Sequence, residues 1–369
     1  MTDFFSDAAL NNLTNHLLPG LWPFLGALVA CVIFVPVAIV LSRRFGWIAE
    51  PGGRHAHASP TPKLGGLAMY LGFAVAVLLF LPRYGDTLGV LVVTGLGMVL
   101  LAIDDRWPMK PIVKLGVQIG LAVLATVVFA IEIKFVSLPG GHIIQLGWLM
   151  APVTIFWLVG MQNTVNLLDG ADGLAAGVIA IVAMILMLAA GQLKQIEVVQ
   201  LAGALAGVCV GFLVFNFPPA RIFMGDSGSH FLGLALGLIS VLGVAKVAVA
   251  FALAAPVLAL AVPIADTAWA ILRRRRRGES VATADNLHIH HRLQSFGLNP
   301  RQTCYVFYSV TALLGALGLT LFGHGRILAV VLVAAAVLTS TVAADILQHA
   351  GWRIRMPFLR RLLADPGNR

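Results

Sequence analysis

Residues 148–191 read WLMAPVTIFWLVGMQNTVNLLDGADGLAAGVIAIVAMILMLAAG. Two apolar runs, 148–166 and 173–191, are each long enough to cross a bilayer as a helix, which takes about 20 residues. Between them lies a short polar joint holding Asn163, Asn166, Asp169, Asp172 and two Asp-Gly turns. Apolar span, polar hairpin and apolar span together give a membrane helix pair with carboxylates at its bend. Composition extends that reading to the whole chain. Of 369 residues, 59% are hydrophobic and only 11% charged, against about 25% charged in an ordinary soluble domain. The mean hydropathy is +0.92. A water-soluble globule could not cover itself with so little polar surface, and the 20 Phe exclude a disordered chain.

Working outward, runs bounded by charge or Gly/Pro predict an all-α integral membrane protein of about eleven transmembrane helices. The expected spans are 21–41, 65–82, 88–103, 111–131, 148–166, 173–191, 198–217, 229–246, 248–271, 304–323 and 327–347. A single transmembrane unit, 1–369, is expected, with linkers at 42–64, 104–110, 167–173, 218–228 and 273–303 and a tail at 348–369. If those linkers are cytoplasmic, they and the tail hold 19 of the 25 Lys and Arg, and the opposite side holds five. The positive-inside rule then places the N-terminus outside and the C-terminus in the cytoplasm. It also accounts for the net charge of +9 without nucleic acid as a partner. Cys31, Cys209 and Cys304 have no paired spacing and read as small core residues. The first twenty residues lack Lys and Arg, unlike a secretory signal.

Unusual polar residues gather on the expected cytoplasmic side. Asp104 and Asp105 close the third span, Asn163 to Asp172 close the fifth, and Asn216 ends the seventh. Asp226 follows in Phe-Met-Gly-Asp-Ser-Gly-Ser-His, and Asp266 lies near the inner end of the ninth span. His288, His290 and His291 sit in the next linker, after the Arg273–Arg277 run, which reads as a topology anchor. Lys63 opens the second span in Pro-Lys-Leu-Gly-Gly. Carboxylates near hydrocarbon are costly and mark a partner or a task. Oxygen-rich sets of acids and amides suit Mg²⁺ that shares its shell with phosphates. Gly170, Gly173, Gly225 and Gly228 offer close approach of phosphate to backbone N–H groups. The chemistry that uses such a set is phosphoryl transfer. Each motif alone also fits a bland role: a solvated helix end, an ordinary Asp-Gly turn, a snorkelling lysine or an adventitious zinc-binding His run.

Taken together, Asn163 to Gly177, the segment around Asp226, Asp104–Asp105, His288–His291 and Pro62–Gly66 resemble the polyprenyl-phosphate N-acetylhexosamine-1-phosphate transferases, glycosyltransferase family 4. The resemblance covers about residues 50–300, and His-Ile-His-His is similar to the WecA/TagO branch, which starts common-antigen, O-antigen or teichoic-acid linkage units. Val281 after Ser280 and Lys63 depart from that pattern, where Pro and Arg are frequent. The resemblance implies transfer of N-acetylglucosamine 1-phosphate from UDP-GlcNAc to undecaprenyl phosphate, releasing UMP, with Mg²⁺ or Mn²⁺. Another UDP-N-acetylhexosamine or UDP-MurNAc-pentapeptide is the alternative donor. A bacterial inner-membrane location, a cytoplasmic site and a homodimer are further expectations. By position, Asp226 and Asn166 are implied as metal ligands, and Asp104, Asp105 and Asp226 as catalytic, with Asp104 and Asp105 near the lipid phosphate and one of them a candidate base. Asp169, Asp172, Asn216 and Phe223 are implied to hold the nucleotide, and Lys63, His288, His290 and His291 the phosphates. A transporter or flippase is the rival from another class, with binding groups expected nearer the midplane.

Overall fold

The computed structural model describes residues 13–49, 60–83, 85–137, 143–246 and 299–321, with Arg276 besides. Helices dominate: α1 (Leu18–Phe45), α2 (Gly65–Phe80), α3 (Gly85–Arg106), α4 (Pro111–Val123), α5 (Met150–Leu168), α6 (Leu174–Gln192), α7 (Ile196–Asn216), α8 (Gly225–Lys246) and α9 (Pro300–Leu321). A π-helical turn, Leu124–Val128, extends α4. The described residues also form two short antiparallel ribbons. β1 (Ile48–Ala49) pairs with β2 (Thr61–Pro62), and β3 (Phe135–Ser137) with β4 (Ile143–Gln145). Among the described residues six helical stretches are long and apolar enough to cross a membrane: Asn15–Phe45, Gly85–Arg106, Pro111–Val128, Leu174–Gln192, Ile196–Asn216 and Gly225–Gly243. The protein is an all-α integral membrane protein. The expected spans 248–271 and 327–347, with Asp266, lie outside the described residues.

α1 shows why a bilayer is required. Its buried positions, Gly20, Pro23, Ala27, Cys31, Val35, Ala38 and Ser42, recur at helical spacing and form one stripe. The other face is equally apolar but open, with Trp22, Val29, Ile33 and Val40 all more than half exposed. A continuous apolar face of that size would be a liability in water, and in lipid it is the outer surface.

Inside, close packing replaces the hydrophobic force that lipid removes. Gly203, Gly207 and Gly211 line one side of α7, where added Cβ atoms would lie 2.4, 2.1 and 2.8 Å from the carbonyl oxygens of Gly20, Phe24 and Leu28 on α1. The helix backbones therefore touch. α6 packs on the other side of α7, and α9 packs on α6. α8 is the central helix: it contacts α3, α5, α2 and α7, and almost all of its described side chains are buried. Thr87 at the start of α3 donates to Glu197 at the start of α7 (2.5 Å), tying the two helices at the end remote from the acids.

Three helix ends run further than expected. α8 begins at Gly225 rather than 229, α3 runs on to Arg106 rather than 103, and α1 continues to Phe45 rather than 41. The expected linkers 42–64, 104–110 and 218–228 are correspondingly shorter. Polar residues in a first or last helical turn lower the hydropathy without breaking the helix, so hydropathy trims a span wherever its end carries chemistry.

Candidate active site

A cavity of about 520 Å³ opens where the C-terminal ends of α3, α5 and α7 meet the N-terminal ends of α4 and α8. It is lined by Asp104, Asp105, Asn166, Asp169, Asp172, Asn216, Phe223, Asp226 and Lys63, with Lys114 and the apolar rim Pro108, Met109 and Pro111. Sequence positions 63 to 226 thus converge on one pocket. His288, His290 and His291 lie outside the described residues.

The acids have different local duties. Asp105 caps α8: its Oδ1 accepts from the backbone N–H of Asp226 (2.7 Å), and its Oδ2 from the N–H (3.0 Å) and hydroxyl (2.5 Å) of Ser227. The first turn of a helix leaves unpaired N–H groups and a partial positive charge, and Asp105 answers both. Gly225 makes this possible. It adopts φ +73°, and a Cβ there would lie 2.7 Å from the Asp105 carboxylate. Asp104 is buried; its Oδ1 accepts from Met109 N–H (2.6 Å), and its Oδ2 pairs with Lys114 Nζ at 3.0 Å. The same ammonium donates to Asp226 Oδ2. Asn166 Nδ2 donates to the other oxygen of Asp226 (3.2 Å) and to Ser229 Oγ (2.9 Å).

On the opposite wall two turns brace each other. Asn216 Oδ1 accepts from Gly173 N–H (3.0 Å) while its Nδ2 donates to the carbonyl of Ile222 (2.8 Å). Asp172 Oδ2 accepts from Ala220 N–H (2.9 Å). Phe223 is fixed through its backbone, donating to the Pro62 carbonyl (2.8 Å) and accepting from Gly65 N–H (3.0 Å). Gly66 N–H goes to the Met224 carbonyl (2.9 Å), and Gly66 lies so close to Gly228 that a Cβ on it would meet Gly228 Cα at 2.5 Å. These contacts hold Lys63 beside Phe223 at the mouth. They also correct one expectation. The amides of Gly173, Asp226 and Ser227 are already bonded to Asn216 and Asp105, so these three are not free to receive a phosphate.

Asp169 is the exception among the acids. No hydrogen bond or ion pair is made by its carboxylate among the described residues, and burial, with the charges of Asp226, Asp105 and Asp172 adding to it, pushes its carboxyl well above the ordinary range. A carboxyl in that position holds a proton or waits for a cation.

Lys114 is the pocket residue that hydropathy passed over. It lies one turn inside α4, and its tie to Asp104 and Asp226 is not visible along the chain. The signal was available: an unpaired lysine inside an apolar helix is costly enough to imply a buried acid.

Five carboxylates, Asp104, Asp105, Asp169, Asp172 and Asp226, face two lysines, Lys63 and Lys114. That formal excess of negative charge fits a divalent cation. No group of three or more His, Cys, Asp or Glu stands at metal-holding distance among the described residues. That does not conflict with Mg²⁺, which takes one or two protein carboxylates and completes its shell with water and phosphate. Asp226 and the Asn166 side-chain oxygen are the lining residues that could hold such an ion.

Comparison with known proteins is consistent with this geometry. Residues 87–244 match the model of glycosyl transferase family 4. A probable undecaprenyl-phosphate N-acetylglucosaminyl 1-phosphate transferase of Bacillus subtilis is 34% identical over 290 residues, covering 78% of this chain and 80% of that protein. A decaprenyl-phosphate N-acetylglucosaminephosphotransferase of Mycolicibacterium smegmatis is 36% identical over 335 residues, 81% of this chain and 82% of that one. A phospho-N-acetylmuramoyl-pentapeptide-transferase of Moorella thermoacetica is 35% identical over 243 residues, 61% and 76% respectively. Fold, pocket and relatives define the class: an integral membrane phospho-sugar transferase. Within it, the chain belongs to glycosyl transferase family 4.

Proposed function

We propose that this protein transfers N-acetylglucosamine 1-phosphate from UDP-N-acetylglucosamine to undecaprenyl phosphate at the cytoplasmic face of a bacterial inner membrane. The products are undecaprenyl-diphospho-N-acetylglucosamine and UMP, the first lipid-linked step toward a cell-envelope polysaccharide. The observation that carries the reading is the joining of Asp226, Asn166, Lys114, Lys63 and Phe223 in one cavity at one end of a membrane bundle. A water-soluble nucleotide sugar and a lipid-tethered phosphate can meet only at such an end.

In this reaction an oxygen of the lipid phosphate attacks the β-phosphorus of the nucleotide sugar. The bond from that phosphorus to the bridging oxygen breaks, and the oxygen leaves on UMP. A phosphate dianion is already a nucleophile, so no side-chain base is needed. That suits the positions of Asp105, engaged as a helix cap, and Asp104, paired with Lys114. Asp226 and Asn166 would hold Mg²⁺, which would neutralise charge on the diphosphate. Lys63 and Lys114 add cationic stabilisation where charge accumulates, and His288, His290 and His291 are assigned to the same phosphates. Phe223 offers a flat face for the uracil, and Asp169 and Asp172 hold the nucleotide side. The rim of Pro108, Met109 and Pro111 continues into exposed Trp107, Ile112 and Val113, an apolar path on which a prenyl chain can lie while its phosphate reaches the lysines.

The test is an assay of purified protein with undecaprenyl phosphate, Mg²⁺ and a panel of UDP-sugars, following UMP and the lipid product. UMP release with UDP-N-acetylglucosamine foremost is expected; uptake of UDP-sugar or lipid into proteoliposomes without UMP would make the protein a transporter. Asp226→Ala is expected to abolish turnover, and normal UMP release by a monodisperse variant would remove the metal assignment.

A further inference from the structure

Three residues on one face of α9 are aimed at backbone carbonyls just behind the pocket. Arg301 Nε donates to the carbonyl of Pro218 (2.9 Å), Cys304 Sγ to that of Asp172 (3.1 Å) and Tyr308 Oη to that of Gly173 (2.6 Å). Positions 301, 304 and 308 follow helical spacing, so a single rigid face makes all three contacts. The helix is itself firmly started: Asn299 and Gln302 exchange reciprocal bonds, with Gln302 N–H donating to Asn299 Oδ1 (2.8 Å) and Asn299 N–H to Gln302 Oε1 (2.9 Å), the arrangement of a capping box.

The fit on the other side is specific to these residues. Tyr308 is buried, and its ring fills the space that a side chain at Gly177 would need: a Cβ there would lie 2.0 Å from Tyr308 Cζ. The ring of Tyr305 lies 5.9 Å from that of Phe217. The carbonyls that are gripped belong to the two turns that brace each other through Asn216 and Asp172. Those turns present Asp169, Asp172, Asn216 and Phe223 to the cavity, whereas none of the described α9 residues lines it.

We propose that Arg301, Cys304 and Tyr308 are positioning residues for the nucleotide side of the site, a clasp through which α9 fixes the spacing of the 169–173 and 217–223 turns. The inference rests on the transferase reading given above. It separates the two substrates: the turns held by α9 face the nucleotide, and the lipid-phosphate side, with Lys114 and the α3–α4 rim, is built from other elements. Loss of one clasp bond therefore loosens nucleotide binding and leaves lipid binding alone.

Tyr308→Phe keeps the ring in the Gly177 notch and deletes the hydroxyl. Its KM for UDP-N-acetylglucosamine is expected to rise about five- to tenfold, the size of one lost buried hydrogen bond, with kcat and the KM for undecaprenyl phosphate changed less than about twofold. Arg301→Gln, at a partly exposed position, is expected to move the same constant in the same direction. Ser240→Ala, which removes the Trp157 Nε1 to Ser240 Oγ bond (3.0 Å) deep in the bundle, is the comparison for general loosening: a lowered melting temperature and no change in nucleotide KM. Should Tyr308→Phe and Arg301→Gln behave like Ser240→Ala, or weaken both substrates equally, the clasp is only structural support and the proposal is wrong. Absence of UMP release by the wild-type protein would bring down the transferase reading itself, an outcome visible before any variant is compared.

Discussion

Lys114 sits where two acids from different helices need a cation, Asp104 of α3 and Asp226 of α8. Replacing it with Met leaves two carboxylates facing each other and removes a charge from the phosphate-binding end. Lys114→Met is expected to lower kcat by about 10²–10³-fold, the scale of one lost electrostatic stabiliser, measured as UMP release at saturating substrates. Arg in its place, planar and larger, is expected to restore little. Asp169 supports a prediction about pH. Its folded-state carboxyl is raised, so the native protein keeps a proton that the unfolded chain has already lost. Unfolding free energy then falls as pH rises from the ordinary carboxylate range through the elevated one. Asp169→Asn removes that fall. In the absence of substrate and metal, the variant is expected to melt above wild type at pH 8 and to converge with it near pH 4, as followed by thermal unfolding in detergent. At this scale much of the site could be read from the chain, because acids and amides in apolar surroundings stand out one by one. What could not be read were the pairings. That Asp105 serves the N-terminus of a helix beginning 120 residues later, or that Asn216 spends both ends of its amide on neighbouring loops, depends on contacts that no local spacing encodes.

Elements are held by surfaces as much as by polar bonds. The α1–α7 contact depends on the absence of side chains at Gly203, Gly207 and Gly211, and at Gly207 an added Cβ would lie 2.1 Å from the Phe24 carbonyl oxygen. Gly207→Val must push two backbones apart, at about 1–3 kcal/mol for overpacking. Gly116 and Gly120 on α4 provide the contrast, since a Cβ at either meets nothing within 4 Å. Ala at those two positions is expected to be neutral or to stabilise by up to about 1 kcal/mol each, from helix propensity. Reversible unfolding in mixed micelles separates the two outcomes, and equal losses at Gly207 and Gly116 would show that the helix contact is not where the stability lies. Hydropathy located each described spanning helix to within a few residues, since the lipid requirement is local and additive along the chain. Partner choice was hidden, because α1, α6 and α7 are almost uniformly apolar and carry no stripe that tells a neighbouring helix from lipid.

For the whole molecule the open quantity is orientation, and the structure makes it measurable. α4 with its π-helical extension crosses from the pocket rim to the far end, and α5 returns, so Met109 beside the cavity and Trp148 at the start of the return lie at opposite ends of the bundle. From the Lys and Arg distribution the Met109 end is expected in the cytoplasm. The native cysteines Cys31, Cys209 and Cys304 are buried and free, so a single added cysteine is a clean reporter. A membrane-impermeant maleimide is expected to label Trp148→Cys in intact cells, where Trp148 is 85% exposed, and Met109→Cys only after permeabilisation. The reverse pattern would turn the pocket away from the compartment that holds nucleotide sugars, and the proposed donor would have no route to it. The expected pattern would leave the donor arriving from the cytosol while the acceptor slides in along the apolar rim of α3 and α4. The two substrates would then reach one set of acids from perpendicular directions.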